Sequence, residues 1–347
     1  MKNYLYTKIL IVSMAASFLC CQKLDAQDIH FSQFFEAPLL RNPSLAGIFT
    51  GDYRVQAVFH DQWNSFTNAY RTGSLNGEYK MPVGKGNDFL TVGLQMLYDK
   101  AGSAALTTTE LLPALNYHKS LSDDHPMYLS LGFMGGIVQK TIDRSKVTTN
   151  SQYNGTAYDP ALPDGETIFT PTVRYLDGSL GVSFNTTFGE NNVNTLFFGA
   201  AMHHVNRPKN SFYKNPAIEL DRKYVFSGGM KLNINEFSYF NLQADYTRQG
   251  PSHEAIGGAL FSYKLGDDPE NSDNTVSVGS FLRWKDALIP VVKLETHSLA
   301  IALSYDVNVS ELRTVSQGRG GFELSISYIG FLDRENSDKY RVLCPKF

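Results

Sequence analysis

The sequence predicts an all-β fold, a single-domain antiparallel transmembrane β-barrel of about 14 strands with short periplasmic turns and longer outer loops. Three observations predict it: apolar residues alternate with small or polar ones in many short segments, an export signal precedes them, and aromatic residues make up 13% of the chain. Side chains alternate across a strand, so each such segment has one apolar face and one polar face. A soluble β-sandwich shows the same period, and it is the combination of the three features that favours a membrane barrel.

Residues 1–26 are typical of a cleavable signal peptide. Lys2 and Lys8 form its basic start, an apolar run spans residues 9–19, and Ala26 supplies the small residue at its end. The apolar run is too short for a membrane-spanning helix. We therefore expect cleavage after Ala26 and a location in the outer membrane of a Gram-negative bacterium.

The cysteines leave one alternative for the N-terminus. Cys20 and Cys21 raise the possibility of a lipoprotein signal, but Leu19 stands where a small residue normally precedes the lipidated cysteine. After cleavage at Ala26 only Cys344 remains, and an exported protein with one cysteine has no internal disulfide. Packing and backbone pairing must then stabilise the fold.

Charge excludes one class of partner. The formal net charge is −3, and it becomes −5 when the signal peptide with its three lysines and one aspartate is removed. This balance is mild and no basic tract occurs, so the sequence predicts no binding of nucleic acid. The mean hydropathy of −0.23 agrees with a barrel, in which only alternate residues face lipid.

Residues 51–331 are predicted to form the barrel, with strands separated by Gly, Pro, Asn and Asp. The predicted strands span residues 52–59, 68–80, 88–98, 105–119, 127–142, 173–187, 193–206, 222–234, 237–248, 253–265, 274–285, 288–295, 298–308 and 320–331. An even number leaves both termini on one side of the membrane. The barrel must be closed, because an open sheet edge in lipid leaves backbone groups unpaired.

Alternation is clearest in the last two predicted strands. It predicts that six apolar side chains face lipid, namely Leu299, Ile301, Leu303, Phe322, Leu324 and Ile326. Trp63 and Trp284 are expected in the aromatic girdles at the two membrane surfaces, whereas a soluble sandwich would place them in its core. The outer-membrane lipid is therefore a predicted partner of the barrel.

The connections support the same orientation. The longest ones, at 143–172 and 207–221, follow the fifth and seventh predicted strands, and the loop at 309–319 follows the thirteenth. The short ones follow even-numbered strands, with 266–273 as an exception. Long loops outside and short turns inside is the rule for outer-membrane barrels.

Residues 27–50 lie before the first strand and show no lipid-compatible alternation. Exposed aromatics in the periplasm are a liability unless the lumen or another protein buries them. Two interpretations remain open: a plug in the lumen, or a docking strip for a periplasmic or cargo partner. The candidate plug or partner-binding residues are Phe31, Phe34, Phe35, Pro38, Asn42 and Pro43. Residues 332–347 form a charged tail that is expected in the periplasm.

No set of residues predicts catalysis or a metal centre. His203 and His204 are adjacent on a predicted strand, so we expect them to point to opposite faces and not to chelate one ion. His60 and Asp61 lie near Ser65, but no strand–turn–helix setting for a nucleophile exists. The sequence therefore predicts no enzyme and no cofactor.

Two loop motifs have a weak functional interpretation. Asp159, Asp164 and Glu166 carry the oxygen ligands that calcium prefers, but they lack regular ligand spacing, and a solvated loop is the favoured interpretation. Residues 318–321, Gly-Arg-Gly-Gly, resemble an anion-binding nest but are better explained as a flexible turn before a strand.

Several strings resemble the PorP/SprF family. They are Phe-Ser-Gln-Phe-Phe-Glu-Ala-Pro-Leu-Leu-Arg-Asn-Pro-Ser-Leu-Ala-Gly at 31–47, Asp61-Gln62-Trp63, Gln152-Tyr153 with Asp159-Pro160, His203-His204 with Pro208, Ser-Tyr-Asp-Val-Asn-Val-Ser at 304–310, Gly-Arg-Gly-Gly-Phe-Glu at 318–323 and Cys344-Pro345. They span nearly the whole mature chain in the expected order. Ser44 and His60 depart from the commoner residues of the family, Ala and Arg.

The resemblance implies an integral outer-membrane protein of the type IX secretion system, which exports cargo with a C-terminal sorting domain and in some bacteria drives gliding. Implied partners are type IX secretion components on the periplasmic side, a peptidoglycan-binding periplasmic protein and the secreted cargo, including large adhesins. A barrel of about 14 strands is too narrow to pass a folded protein. An accessory or cargo anchor is thus expected, and the alternative is an outer-membrane channel for small or hydrophobic solutes.

Overall fold

The computed structural model describes residues 28–62, 70–84, 86–166, 170–266, 274–310 and 319–332. The strands are β1 (Tyr53–Gln62), β2 (Tyr70–Pro82), β3 (Phe89–Ala101), β4 (Leu106–Ser120), β5 (Met127–Thr141), β6 (Thr172–Phe188), β7 (Asn194–His203), β8 (Lys223–Asn233), β9 (Ser238–Gln249), β10 (Ser252–Leu265), β11 (Asn274–Arg283), β12 (Ala287–Thr296), β13 (Leu299–Asn308) and β14 (Arg319–Gly330). The signal peptide, Trp63, Ser65, Gly318 and residues 333–347 with Cys344 lie outside the described residues.

The strands form one closed antiparallel barrel. Each strand pairs with its neighbours in sequence, and β1 pairs with β14, where Ala57 lies opposite Ile326. This confirms the predicted fold class and the count of fourteen strands. Closure gives the backbone groups of the first and last strands partners, as lipid requires. In the described ranges, no helix combines the length and the apolar character needed to cross a membrane.

The outer face of β13 and β14 confirms the predicted lipid-facing set. Leu303 is 45% exposed and lies opposite Leu324, while Ala302 and Ser304 on either side of it are buried inside the barrel. The remaining predicted residues lie on the same outer face, namely Leu299, Ile301, Phe322 and Ile326. The period of two in the sequence thus corresponds to an apolar exterior and a polar interior.

Replacing Leu303 by arginine is expected to destabilise the barrel by about 2–4 kcal/mol, because the position is in mid-strand and faces hydrocarbon. Leu299→Arg is the matched control. Leu299 lies on the same face but is the first residue of β13, near the membrane surface, where an arginine destabilises the barrel by only about 0–1 kcal/mol. Folding into lipid vesicles, titrated with urea, measures both. Equal costs at the two positions would contradict the assignment of a membrane midplane.

The two ends of the barrel differ. The longest connections, 142–171 after β5 and 204–222 after β7, leave the same end, which we call the outer end because long loops of outer-membrane barrels are extracellular. The end at which β1 begins is the inner end. The two long loops are joined by the Tyr213 hydroxyl, which donates to Glu166 at 2.7 Å. The predicted long outer loops after the fifth and seventh strands are confirmed, the second of them four residues longer than predicted, and the predicted loop at 309–319 lies mostly outside the described residues.

Residues 28–52 lie inside the barrel, and we call them the N-terminal segment. The segment contains one short helix, α1 (Pro38–Arg41), between single 3-10 turns at 34–36 and 43–45. At the outer end, the Asp28 backbone N–H donates to the side chain of Gln249, the last residue of β9. At the inner end, the Asp52 carbonyl accepts from the Lys80 backbone N–H. The segment therefore runs the length of the lumen.

The hydrophobic core lies between this segment and the inner wall, rather than between two sheets. Leu39 and Ala46 pack on residues of β4 and β5, and Leu45 and Ile48 pack on Phe197 of β7. A polar inner wall has few such patches, and the apolar side chains of the segment cover them. Burial of this apolar surface stabilises the segment in place.

Candidate functional site in the barrel lumen

The aromatic residues of the N-terminal segment contact the inner wall. The Phe34 ring meets the Phe281 ring edge to face, with centroids 5.3 Å apart, and the Phe35 ring stacks on Phe281 at 5.0 Å. Phe31 packs with Val58 and Leu97. Of the six candidate residues, five are buried, namely Phe31, Phe34, Pro38, Asn42 and Pro43, and Phe35 is half-buried.

Arg41 forms the central ion pair of the lumen. Its guanidinium donates Nε–H to Asp245 at 2.8 Å and Nη1–H to Gln243 at 2.8 Å. The Nη2–H group of the same guanidinium donates to the other carboxylate oxygen of Asp245, so the Arg41–Asp245 pair is bidentate. The guanidinium also lies 4.7 Å from the centre of the Phe34 ring. Helix α1 of the segment is thereby fixed to β9.

Glu323 of β14 holds the outer half of the segment. Its two carboxylate oxygens accept the backbone N–H groups of Ser32 and Gln33, both at 2.7 Å. The same carboxylate lies 2.8 Å from the His60 Nδ1 atom. The Ser32 hydroxyl in turn donates to Asp306 at 2.7 Å. Two adjacent backbone donors that would otherwise be unpaired in the lumen are satisfied by one buried anion.

The middle of the segment contacts the wall backbone directly. The Asn42 side chain donates to the Val182 carbonyl at 3.2 Å and accepts from the Ser44 N–H at 2.9 Å. A Cβ atom at Gly132 would lie 2.4 Å from the Pro43 carbonyl carbon, and one at Gly181 would overlap Asn42. Glycine at these two wall positions is what allows so close an approach.

Charged residues of β1 and β2 hold the inner end. Glu78 accepts the Gly47 N–H at 2.7 Å and pairs with Arg54, also at 2.7 Å. The Lys80 ammonium donates to the Phe49 carbonyl at 2.7 Å. Buried anions and cations of the wall thus bind backbone groups of the segment, which satisfies the hydrogen-bonding needs of both partners.

At the outer end, His204 bridges two carboxylates. Its Nδ1 atom lies 2.7 Å from Asp177 and its Nε2 atom 2.5 Å from Asp28. Burial opposes protonation of His204, but the hydrogen bonds to Asp177 and Asp28 outweigh burial and raise its pKa to about 9. The Asp28 pKa is held well below its usual range by the same imidazolium, against the effect of burial. The cation joins the start of the segment to β6.

The expectation that His203 and His204 point to opposite faces is wrong. Strand β7 ends at His203 instead of residue 206, and His204 adopts a positive φ of 55° that reverses the alternation. Both rings therefore lie inside the barrel, and His203 contacts the Arg41 carbonyl at 3.2 Å. Within the described ranges, no group of three His, Cys, Asp or Glu side chains is arranged to hold a metal ion.

Because His204 has this raised pKa, we expect the first residues of the N-terminal segment to detach from the barrel wall at alkaline pH. A pKa raised from 6.5 to about 9 stabilises the folded state fully below pH 6.5, and the contribution is lost as pH rises through 9. The shift corresponds to roughly 3 kcal/mol. We expect a spin label at position 29 to become mobile above pH 9, and His204→Asn to abolish this transition. An identical transition in the variant would assign it to another group.

The loop acids considered as calcium ligands, and His60, all have hydrogen-bond or ion-pair partners within the protein. Asp164 pairs with Arg144 at 2.8 Å, Glu166 accepts from Tyr213, and Asp159 accepts the Ala161 N–H at 2.9 Å. These three acids stabilise the outer loops. His60, considered as a catalytic base, points into the lumen toward Glu323.

Sequence reasoning missed the residues that hold the segment, namely Arg41, Glu78, Asp245, Glu323 and His204. One signal was present: Glu78, Asp245 and Glu323 stand at inward positions of their strands, where a charge needs a partner. The segment carries few charged side chains, and Arg41 is one of them. Which partner each charge meets depends on the closed barrel.

A sequence model of the family described as "Type IX secretion system membrane protein PorP/SprF" matches residues 23–328. The chain belongs to this family. The match includes the N-terminal segment and nearly all of the barrel, and it confirms the resemblance seen in the sequence. This PorP/SprF member is accordingly a membrane protein of the type IX secretion system. No curated protein sequence matches the chain.

Several solved structures are similar to this chain at low sequence identity. The P. putida toluene transporter TodX has 9% identity and a TM-score of 0.46, with 84% of this chain and 93% of that chain covered. A Pseudomonas aeruginosa FadL homologue has 10% identity and a TM-score of 0.44, with 84% and 94% covered. The KdgM porin has 6% identity and a TM-score of 0.35, with 79% and 98% covered. These similarities are too distant to bear on what this chain binds.

Proposed function

We propose that this PorP/SprF protein is a non-catalytic outer-membrane accessory or anchor of the type IX secretion system. It supports secretion or surface attachment of cargo proteins that carry a C-terminal sorting domain, including gliding adhesins where the bacterium has them. The observation that supports this proposal is the N-terminal segment, which runs through the lumen and is bound at its start, middle and end. A barrel occupied in this way does not carry a polypeptide.

The candidate residues of the segment then form a plug, and not a docking strip. Phe31 is 4% exposed and Phe34 is 6% exposed, so their rings have no surface free for a partner. Their burial on the wall replaces the protection that a partner would otherwise provide. In this proposal the signal peptide is cleaved after Ala26, and the plug is described from Asp28 onward.

The two ends of the barrel serve different partners in this proposal. The outer loops 142–171 and 204–222, tied together by Tyr213 and Glu166, form the cargo-facing surface. The short turns of the inner end face the periplasmic type IX components and a peptidoglycan-binding protein. A plugged barrel between them is a rigid membrane anchor that joins the two sides.

The test is the set of secreted proteins in a deletion strain. We expect loss of the cargo with a C-terminal sorting domain from the surface and the medium, with restoration by the wild-type gene. The alternative is a channel for small or hydrophobic solutes. Unchanged secretion together with impaired uptake of such solutes would favour the channel and overturn the accessory role.

Changing Phe34 and Phe35 to alanine is expected to lower the heat resistance of the barrel. Phe34 is buried against Ile256, Leu260 and Phe281, and removing such a ring costs about 3–5 kcal/mol. The shift between folded and unfolded bands on unboiled gels, followed against temperature, measures the loss. Unchanged heat resistance combined with failed cargo attachment would identify the aromatics as a docking strip.

A further inference from the structure

An amphipathic depression lies on the outside of β8 and β9 at the outer end. Tyr224 stands opposite Arg248 in the ladder, and Phe226 stands opposite Tyr246. All four residues are exposed on the outer face. The depression has a volume of about 490 Å³, and its rim is completed by Arg207, Asp221, Arg222 and Gly250. The part of the depression nearest to the outer loops is cationic, and the part nearest to the middle of the membrane is aromatic.

Two of its three guanidinium groups are not neutralised. Arg207 pairs with Glu219 at 3.4 Å and with Asp221 at 3.8 Å. Arg222 donates to the Val205 carbonyl at 3.3 Å, and no acidic side chain of the described residues lies within ion-pair distance of Arg222 or Arg248. The depression therefore has an unmatched positive charge on the side nearest to the outer loops.

The position of the charge identifies the kind of ligand. Tyr224 is exposed near the outer end of β8, where outward-facing tyrosines of membrane barrels mark the boundary between hydrocarbon and headgroups. Phe226, 54% exposed, and Tyr246 opposite it lie two residues farther toward the hydrocarbon. The arginines are thus at headgroup height in the outer leaflet. Arginine binds phosphate through paired N–H groups, and the aromatic faces below provide an apolar surface for acyl chains.

We propose that this depression binds a phosphorylated glycolipid of the outer leaflet, with its phosphate on Arg222 and Arg248 and its acyl chains along Phe226 and Tyr246. The site is separate from the lumen and does not depend on the accessory role. It lies on the side of the barrel next to loop 204–222.

The test titrates purified full-length protein in detergent micelles with diphosphoryl lipid A and follows binding by native mass spectrometry. We expect the double variant Arg222→Gln, Arg248→Gln to bind at least about tenfold more weakly, since it loses the charge-assisted hydrogen bonds from both guanidinium groups to the phosphate. The matched control is Arg174→Gln, an exposed outer-face arginine of β6 that donates to Gln139 and lacks the aromatic pairs. This control is expected to bind as the wild type does.

Two further measurements distinguish a lipid phosphate from free inorganic phosphate as the ligand, and a gel assay checks folding. Phe226→Ala is expected to weaken binding of lipid A, and inorganic phosphate alone is expected to compete poorly. Equal affinity for lipid A in wild type and double variant, or full displacement by millimolar inorganic phosphate, would overturn the proposal. Binding of an acidic peptide with no binding of lipid A would also overturn it. Heat-modifiable migration on gels checks that every variant is folded.

Discussion

Replacing Arg41 by alanine is expected to lower the free energy of unfolding by about 3–5 kcal/mol, because it leaves the Asp245 carboxylate buried without its cation. Both side chains of the pair are only 6% exposed, so water does not substitute for the lost partner. Chemical unfolding of the barrel in lipid vesicles measures the loss. The control is Arg71→Ala, whose exposed pair with Asp61 is worth about 0–1 kcal/mol.

A double variant separates the lost pair from the lost packing. Arg41→Met combined with Asp245→Leu removes both charges and keeps apolar volume, so we expect it to recover much of the stability. The coupling free energy from the full cycle of variants reports the ion pair itself. A double variant no more stable than Arg41→Ala would show that Arg41 acts through its contact with Phe34 instead.

Replacing Glu323 by alanine is expected to cost a similar amount, about 3–5 kcal/mol. Two buried backbone N–H groups, of Ser32 and Gln33, lose their acceptor, and each unsatisfied donor costs about 1–3 kcal/mol. Hydrogen exchange at these two amides is expected to accelerate before the barrel strands exchange. Ser325→Ala, a buried inward position two residues along β14, is the control and should leave both amides protected.

Much of the barrel was predictable because a strand's environment is encoded locally. In β13, Leu303 faces lipid and its neighbour Ser304 faces the lumen, so polarity changes with every residue. The same rule predicted the lipid-facing side of β14. Loop length added the orientation, since the connection after β5 spans residues 142–171. These signals need only a short window of sequence.

The position of the N-terminal segment was not predictable in this way. Ser32 meets Glu323, and Arg41 meets Asp245, across more than 200 positions of sequence. No period relates such residues, because the segment is irregular and its burial comes from a wall that exists only after closure. The sequence excluded a lipid-facing strand and left plug and docking strip open.

His204 shows a second limit. Its inward position depends on one left-handed backbone conformation directly after β7, and a non-glycine residue with positive φ is uncommon. The alternation rule assumes an extended backbone and placed the ring on the wrong face. The bridge between Asp28 and Asp177 compensates for this conformation with two charge-assisted hydrogen bonds.

Planar-bilayer recording tests most directly whether the barrel is closed by its own N-terminal segment. We expect the wild-type protein to show no stable open level, and the Arg41→Ala, Glu323→Ala double variant to show discrete openings as the segment leaves the lumen. Circular dichroism of the same samples establishes that both barrels are folded. A steady open level in the wild-type protein would contradict the plugged barrel and favour the channel.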